Sequence, residues 1–317
     1  MADMSSAGEP LLLAWDESPA SVAAARIVRA LAMRTEADAC VVHALNMRAA
    51  PILPPLDAAV GLRDPIDGPG LHEQMAGDVR AAIAGVLGTP VAWPVRIALG
   101  TPAESITHEA GRIGAALTVL GLRPHSALAR ALRNETVVTV MRSIGRPVLA
   151  VPEGLTGLPR RAVIGVDFSR VSLRAAQAAL GVLDAGASIR LVYVTGSQNY
   201  GPEDHVPLNE PDEGRRTIYQ LGVEAAFDWF IGSIGAPEGV SIDRTIVSDM
   251  PATSASAALL SQAADDGAEL IVLANRRHRS LDRWVVGSVT ADIVRDGRIA
   301  VLAVPPLEDT PPSTDTR

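Results

Sequence analysis

Apolar residues fall along this chain in short continuous runs, separated by longer segments in which they recur at helical spacing. The runs LLLAWDES from Leu11, ACVVHAL from Ala39, PVRIAL from Pro94 and LTVLGL from Leu117 read as strands, and PVLAVP from Pro147 reads as a fifth. The first strand is expected to run to Asp16. Between the strands lie segments of amphipathic, helix-length pattern: SVAAARIVRALAM, residues 71–86, and a segment opened by Pro102-Ala103. Strands that are apolar along both faces belong to a parallel sheet covered by helices on both sides. The pattern therefore predicts an α/β fold.

The same order then repeats at a period near 150 residues, too long for a solenoid and suited to a duplicated domain. AVIGVDFS from Ala162 repeats LLLAWDES, SIRLVYV from Ser188 repeats ACVVHAL, and SIDRTIV from Ser241 repeats PVRIAL. A helix over residues 216–231 matches that over 71–86, and Pro251-Ala252 matches Pro102-Ala103 as a helix start. The closing strands, PVLAVP and AVLAVP, are almost identical. The expected organisation is a disordered leader over 1–9, a first domain over 10–152, a linker over 153–160, a second domain over 161–306 and a disordered tail over 307–317.

Composition narrows this picture. With 317 residues, 48% hydrophobic and 20% charged, the chain is long enough for two domains with their own cores. There is no lysine, so all 28 basic residues are arginine. Thirteen arginines face 14 acidic residues through Pro152, and 15 face 22 thereafter. Neither half has the basic surplus of a nucleic-acid binder. Cys40 is the only cysteine, which excludes an intrachain disulfide and a cysteine-cluster zinc site; its apolar surroundings suggest a buried small hydrophobe. The N-terminal segment lacks the pattern of a secretory signal, and no run approaches the ~18 apolar residues of a membrane span. A cytoplasmic setting is the expectation.

The chemistry concentrates in LIVLANRRHRSLDRWVVGSV, residues 270–289, which reads as a buried strand, an arginine-rich loop and a helix start. Gly287-Ser288 stands where a helix could present backbone N–H groups and a capping hydroxyl to an anion. The corresponding stretch 153 residues earlier has Asn134-Glu135 at those positions. Each half also carries strand-Asp-x-Ser, at Asp16/Ser18 and Asp167/Ser169.

These features, with the Gly-x-Pro-Ala helix start at Gly100 to Ala103 and the VLAVP strands, resemble the universal stress protein family in its tandem form, over nearly the whole chain. The resemblance implies two doubly wound, Rossmann-like parallel sheets in strand order 3-2-1-4-5. Ligands would lie at the carboxyl ends of the strands near the switch point. It also implies that the terminal strands, 148–151 and 301–304, pair across a pseudo-two-fold, covering sheet edges; a further homodimer is compatible with it. ATP-binding members carry Gly-x2-Gly-x9-Gly-[Ser/Thr] after the fourth strand, where glycines admit the phosphates and the hydroxyl and helix start bind them.

Carried over by position, the first half gives Gly121, Pro124 and Asn134-Glu135, keeping one of four motif residues. Pro124 removes a backbone donor, and Glu135 sets a carboxylate against the phosphates. Trp15 is expected to fill the adenine space. The second half gives Ala274, Arg277 and Gly287-Ser288, keeping the last two. Val166, Asp167 and Ser169 match the adenine and ribose region, with Tyr193 and Val194 on the neighbouring strand, and Val289 follows the retained pair. Arg276 and Arg277, with His278, Arg279 and Arg283, could neutralise phosphates where glycine amides are lost. The resemblance thus implies ATP or another adenine nucleotide in the second half only, with Mg2+ if ATP is bound.

Simpler readings stand beside these. In a chain without lysine, a solvated basic loop must be arginine. Asp16 and Asp167 could each serve to cap the following helix, worth ~1 kcal/mol. His43 reads as a boundary residue, and Trp229, Phe230 and Trp284 read as core or interface anchors. No P-loop, G-x-S-x-G or H-E-x-x-H pattern is present, so no catalytic or metal-ligating residue is assigned. Three functions remain open: nucleotide-binding stress regulation, a nucleotide-independent interaction protein, and slow ATP hydrolysis with Asp167 orienting water.

Overall fold

The computed structural model describes residues 9–45, 69–123, 135–195, 213–248, 254–277, 284–285 and 287–306. The chain divides into two compact units, one ending at Leu158 and one beginning at Pro159.

In the first unit the elements are β1 (Leu11–Ala14), α1 (Pro19–Thr35), β2 (Ala39–Leu45), α2 (Pro69–Leu87), β3 (Val95–Leu99), α3 (Pro102–Ile113), β4 (Leu117–Leu122), α4 (Glu135–Ser143) and β5 (Val148–Pro152). The strands pair in parallel in the order β3-β2-β1-β4-β5. β1, at the centre, and β5 are buried at every residue, and the edge strand β3 buries only Ile97. β1 stops at Ala14, two residues before the expected end, because Trp15 and Asp16 already belong to the turn into α1. Its small residues Ala20, Ala23 and Ala24 let α1 lie close on β4 and β5. The closest approach is at Gly121, where a Cβ would stand 2.8 Å from the Ser21 amide nitrogen.

The second unit repeats this plan with β6 (Arg161–Gly165), α5 (Arg170–Leu180), β7 (Ser188–Thr195), α6 (Glu213–Ile234), β8 (Ser241–Ser248), α7 (Ala255–Asp265), β9 (Leu270–Ala274), α8 (Ser288–Asp296) and β12 (Ala300–Val304). Its parallel strands run β8-β7-β6-β9-β12, again the order 3-2-1-4-5. One element has no described counterpart in the first unit. Between β9 and α8, β10 (Arg276–Arg277) and β11 (Trp284–Val285) pair antiparallel, so the arginine-rich loop begins and ends as a hairpin. The expected helix start at Pro251-Ala252 lies outside the described residues; the described helix begins at Ala255, capped by the Ser254 hydroxyl. The expected leader, apart from Glu9, and the tail also lie outside them. Glu9 forms an ion pair with Arg146 at 2.5 Å.

No described helix is long and apolar enough to cross a membrane.

Candidate functional site

The two switch-point turns follow β1 and β6, the central strands of their units. In the first, the Asp16 carboxylate accepts from the Ser18 amide (3.1 Å) and hydroxyl (2.5 Å), and Ser18 Oγ accepts from Ser21 N at 3.1 Å. In the second, Asp167 accepts from Ser169 N (3.1 Å) and Oγ (2.6 Å), and Ser169 Oγ accepts from Ser172 N at 3.2 Å. The helix cap is therefore the serine in both turns. The aspartate does not cap the helix itself; it orients the capping hydroxyl through one of its oxygens.

The residue between them is left-handed in both copies, Glu17 at φ 62° and Phe168 at φ 58°. Neither is glycine, so each turn holds a conformation that costs of order 1–3 kcal/mol and must be imposed by its surroundings. The aspartate–serine hydrogen bonds supply that constraint.

The turns differ in what they face. In the first unit Arg123, immediately after β4, donates to the outer oxygen of Asp16 at 2.6 Å. β1 and β4 are neighbours, so the chain ends that carry these two side chains emerge side by side. Burial raises the Asp16 pKa, but hydrogen bonds from the Ser18 hydroxyl and amide, with the Arg123 charge, outweigh it and hold the carboxyl below its usual value. An open cleft of about 510 Å³ here is lined by Asp16, Glu17, Glu153 and Arg123. Three carboxylates against one guanidinium repel phosphate. At α4 the first helical residue is Glu135, which adds a fourth acid at a helix start. Trp15 is 3% exposed, with no hydrogen-bond partner for its Nε1, and its carbonyl oxygen lies 2.9 Å from His43 Nδ1. It occupies the core beside the turn, and His43 is a half-buried boundary residue.

In the second unit the turn faces an aromatic cluster. The Phe168 ring lies 5.0 Å from Tyr193, 4.9 Å from Phe227 and 6.0 Å from Phe230, the last two edge-on. The chain has only three phenylalanines, and all three meet here. Arg244 stacks over Phe227 at 5.8 Å.

The α8 start lies after β9, the strand beside β6. Its N-cap is Gly287 (φ −58°, ψ 157°), with no side-chain hydrogen bond to the first turn. The Ser288 hydroxyl is thus not the cap; Ser288 is the first helical residue and is exposed. In contrast α1, α3, α5 and α7 are each capped by a serine or threonine hydroxyl. Among the described residues no side chain caps the first-turn N–H groups of α8, and the positive end of the helix dipole lies behind them. A Cβ at Gly287 would meet nothing within 4 Å.

Both halves of the chain match known proteins at this point. The profile of the Universal stress protein family fits residues 9–152 and again 159–305. The chain belongs to the universal stress protein family. A universal stress protein from Archaeoglobus fulgidus DSM 4304 superimposes at a TM-score of 0.60 with 17% identity, covering 93% of this chain and 98% of that one. A functionally unknown protein from Pseudomonas aeruginosa PAO1 superimposes at 0.54 with 11% identity, covering 95% and 94%. A universal stress protein in complex with cAMP aligns with 46% of this chain and 98% of its own, at 15% identity and a TM-score of 0.33. A comparison with curated proteins finds no match.

Within this universal stress protein, topology gathers most of the residues singled out from sequence. Val166 (6% exposed), Asp167 and Ser169 follow β6. Val194 lies on β7 two residues beyond Val192, the partner of Gly165, and so stands level with Asp167. Ala274 ends β9, Arg276 and Arg277 open the hairpin, and Gly287, Ser288 and Val289 begin α8. All ten sit at the carboxyl ends of β6, β7 and β9 or in the loop and helix start that follow β9. The side chains of Arg276, Arg277 and Trp284 lie outside the described residues, as do Pro124, Asn134, His278, Arg279 and Arg283. Among described residues no group of three His, Cys, Asp or Glu could hold a metal.

For Trp229 the core reading is corrected, which leaves the interface one. Phe230 is fully buried, but Trp229 is 54% exposed, because the buried stripe of α6 runs Val223, Phe227, Phe230, Ile234 and leaves position 229 outside it. Cys40 is only half-buried; burial, reinforced by the Glu109 charge, pushes its thiol up. Sequence reasoning missed the Asp16–Arg123 pair and the role of Phe168. The first was accessible from the parallel neighbourhood of β1 and β4. The second was signalled only by an aromatic residue in a turn of a phenylalanine-poor chain.

Proposed function

We propose that this stress-response protein senses an adenine nucleotide through its second unit, ATP or a relative, with Mg2+ accompanying ATP. The observation that carries the reading is the first turn of α8, which no side chain caps among the described residues, next to the switch point that follows β6. The phosphates would sit on the N–H groups of Ser288 and Val289, where backbone donors and the helix dipole favour anions. Val166 and Val194 would flank the base and Asp167 would hold the ribose. Ala274 and Arg277 stand where binding relatives place glycines, so the fit is partial. Arginine side chains of the hairpin would replace the missing amide contacts.

Calorimetry with ATP, AMP and cAMP tests this. Replacing Gly287→Ala and Ser288→Ala together is expected to weaken the best ligand by about tenfold or more, since hydrogen bonds to charged groups are worth roughly 1.5–3 kcal/mol. The Gly287 site has room for the methyl and an ordinary φ, so the variant should fold. An unchanged affinity in the double variant would falsify the assignment.

A second reading has its own support. The first unit's cleft, acidic and bridged by Asp16–Arg123, suits an interaction role without nucleotide. If neither unit binds, millimolar ATP leaves the melting curve unmoved, whereas a ligand at 100 times its Kd adds about 2.7 kcal/mol.

A further inference from the structure

The first unit carries a second cleft away from its switch point, at the outer edge of the sheet. It encloses about 370 Å³ and is formed by β3, the start of α2 and the first two turns of α3. Its wall is the β3 backbone with Ile97, Ala98 and Leu99, and polar groups enter from three elements: His72 from α2, Arg96 from β3, Glu104 and His108 from α3. A volume at the small end of the usual ligand-pocket range, with an apolar wall and a few convergent polar groups, is the usual composition of a small-molecule site.

The charges in this cleft are not matched to one another. Glu109 is 3% exposed and fully engaged: the Arg112 guanidinium grips both its oxygens, at 2.8 and 2.6 Å. Glu104 accepts from the Thr101 hydroxyl through Oε2 at 2.6 Å, while Thr101 Oγ1 caps α3 by accepting from the Glu104 amide, and Glu104 Oε1 has no donor among the described residues. Arg96 forms no ion pair or hydrogen bond through its side chain among the described residues. His72 Nε2 is shielded from solvent and has no partner, a state that costs free energy unless a ligand or water completes it. One uncompensated guanidinium, one half-used carboxylate and an orphaned imidazole thus line a single cleft.

The corresponding edge strand of the second unit carries its arginine one position earlier, on the other face. Arg96 pairs with Val42 in register, and the matching position opposite Val192 is Thr245. Its neighbour Arg244 is held by Glu224 at 2.6 Å and by Asp228 at 2.5 Å, so the charge on that edge is neutralised from α6. Arg96 has no such partner among the described residues.

We propose that this cleft binds a small zwitterion, a molecule with one carboxylate and one ammonium group, such as an amino acid. Arg96 receives the carboxylate, Glu104 receives the ammonium, His72 Nε2 completes a hydrogen bond to the ligand, and Ile97 and Leu99 line its carbon skeleton. A simple anion would meet the free oxygen of Glu104, and a simple amine would meet Arg96. Only a ligand carrying both charges satisfies both ends. The site is independent of the nucleotide reading.

The test is calorimetry on the full chain with glycine, γ-aminobutyrate and 5-aminovalerate, a series of increasing charge separation, and with acetate and methylamine as single-charge controls. One zwitterion is expected to bind at least about tenfold more tightly than either control. Arg96→Gln and Glu104→Gln should each weaken it by about tenfold. Both residues are exposed, and glutamine at 104 keeps the backbone amide that the Thr101 hydroxyl caps, so both variants should fold. The Gly287→Ala/Ser288→Ala variant should bind the zwitterion as the unaltered chain does, which separates this site from the nucleotide site. The ring resonances of His72 should shift on addition of the bound zwitterion and stay fixed with acetate. The proposal is overturned if no zwitterion exceeds both controls, or if Arg96→Gln leaves the affinity unchanged.

Discussion

Asp16-Glu17-Ser18 and Asp167-Phe168-Ser169 have the same backbone and the same internal hydrogen bonds, and they look out on opposite surroundings. One faces carboxylates and an arginine in an open cleft; the other is packed against three aromatic rings. Backbone geometry at the switch point is therefore independent of what the turn is used for. The buried stripe of the second helix in each unit follows suit. In α2 it is Ala76, Val79, Ile83 and Leu87, and in α6 it is Val223, Phe227, Phe230 and Ile234. Phenylalanines fill in the second unit the space that aliphatic side chains fill in the first.

The strongest way to break this comparison is to remove the aromatic anchor. Phe227→Ala is expected to destabilise the second unit by about 3–5 kcal/mol, the usual range for a buried phenylalanine, with the first unit's transition left in place. Denaturant unfolding followed by circular dichroism checks it, and a loss below about 1 kcal/mol would show that the cluster does not hold the turn. A smaller effect separates the units at the fourth strand. Gly121→Ala puts a methyl 2.8–2.9 Å from the backbone of Ala20 and Ser21 and should cost about 1–3 kcal/mol. Ala274→Gly, at the matching position, should cost no more than about 1 kcal/mol. Equal effects would mean that both first helices lie equally close to their sheets.

The smallest effect is on acid stability. The Asp16 carboxyl is held below its usual value in the folded protein, so its contribution is present at neutral pH. It fades as pH falls through the ordinary carboxylate range near about 4. Asp16→Asn should flatten the acid limb of the stability curve below about pH 4 relative to the unaltered chain. Because the group is half-exposed the change is modest. Parallel curves for the two proteins would show that Arg123 and Ser18 do not tune this carboxyl.

The duplicated α/β plan was legible because parallel strands buried on both faces leave long apolar runs, and because Leu270 to Ala274 and Ala300 to Val304 have no other place than a central sheet. β2 was read to its end residues. Element ends elsewhere moved by a few residues, as at β1, where Trp15 is apolar and buried yet already belongs to the turn. Of the site, the Asp-x-Ser turns and the α8 start were readable from spacing. The division of labour within them was not. That Ser18 caps while Asp16 holds it depends on a left-handed residue between them, which neither glutamate nor phenylalanine advertises. Ser288 looked like a cap because serine usually is one; the helix starts one residue earlier than that reading assumed, and glycine takes the cap. The edge cleft at β3 was invisible, since His72, Arg96 and Glu104 are brought together only by the fold.

The left-handed residue of the turn has one more consequence. Its conformation is fixed by the hydrogen bonds of its neighbours, so its own side chain is free to change without moving the chain around it. After duplication such a position can drift without loss of the fold, one copy acquiring a charge and the other a ring. Glu17 and Phe168 are two outcomes of that freedom, and the turn acts as a socket into which either copy of the gene could plug a new surface.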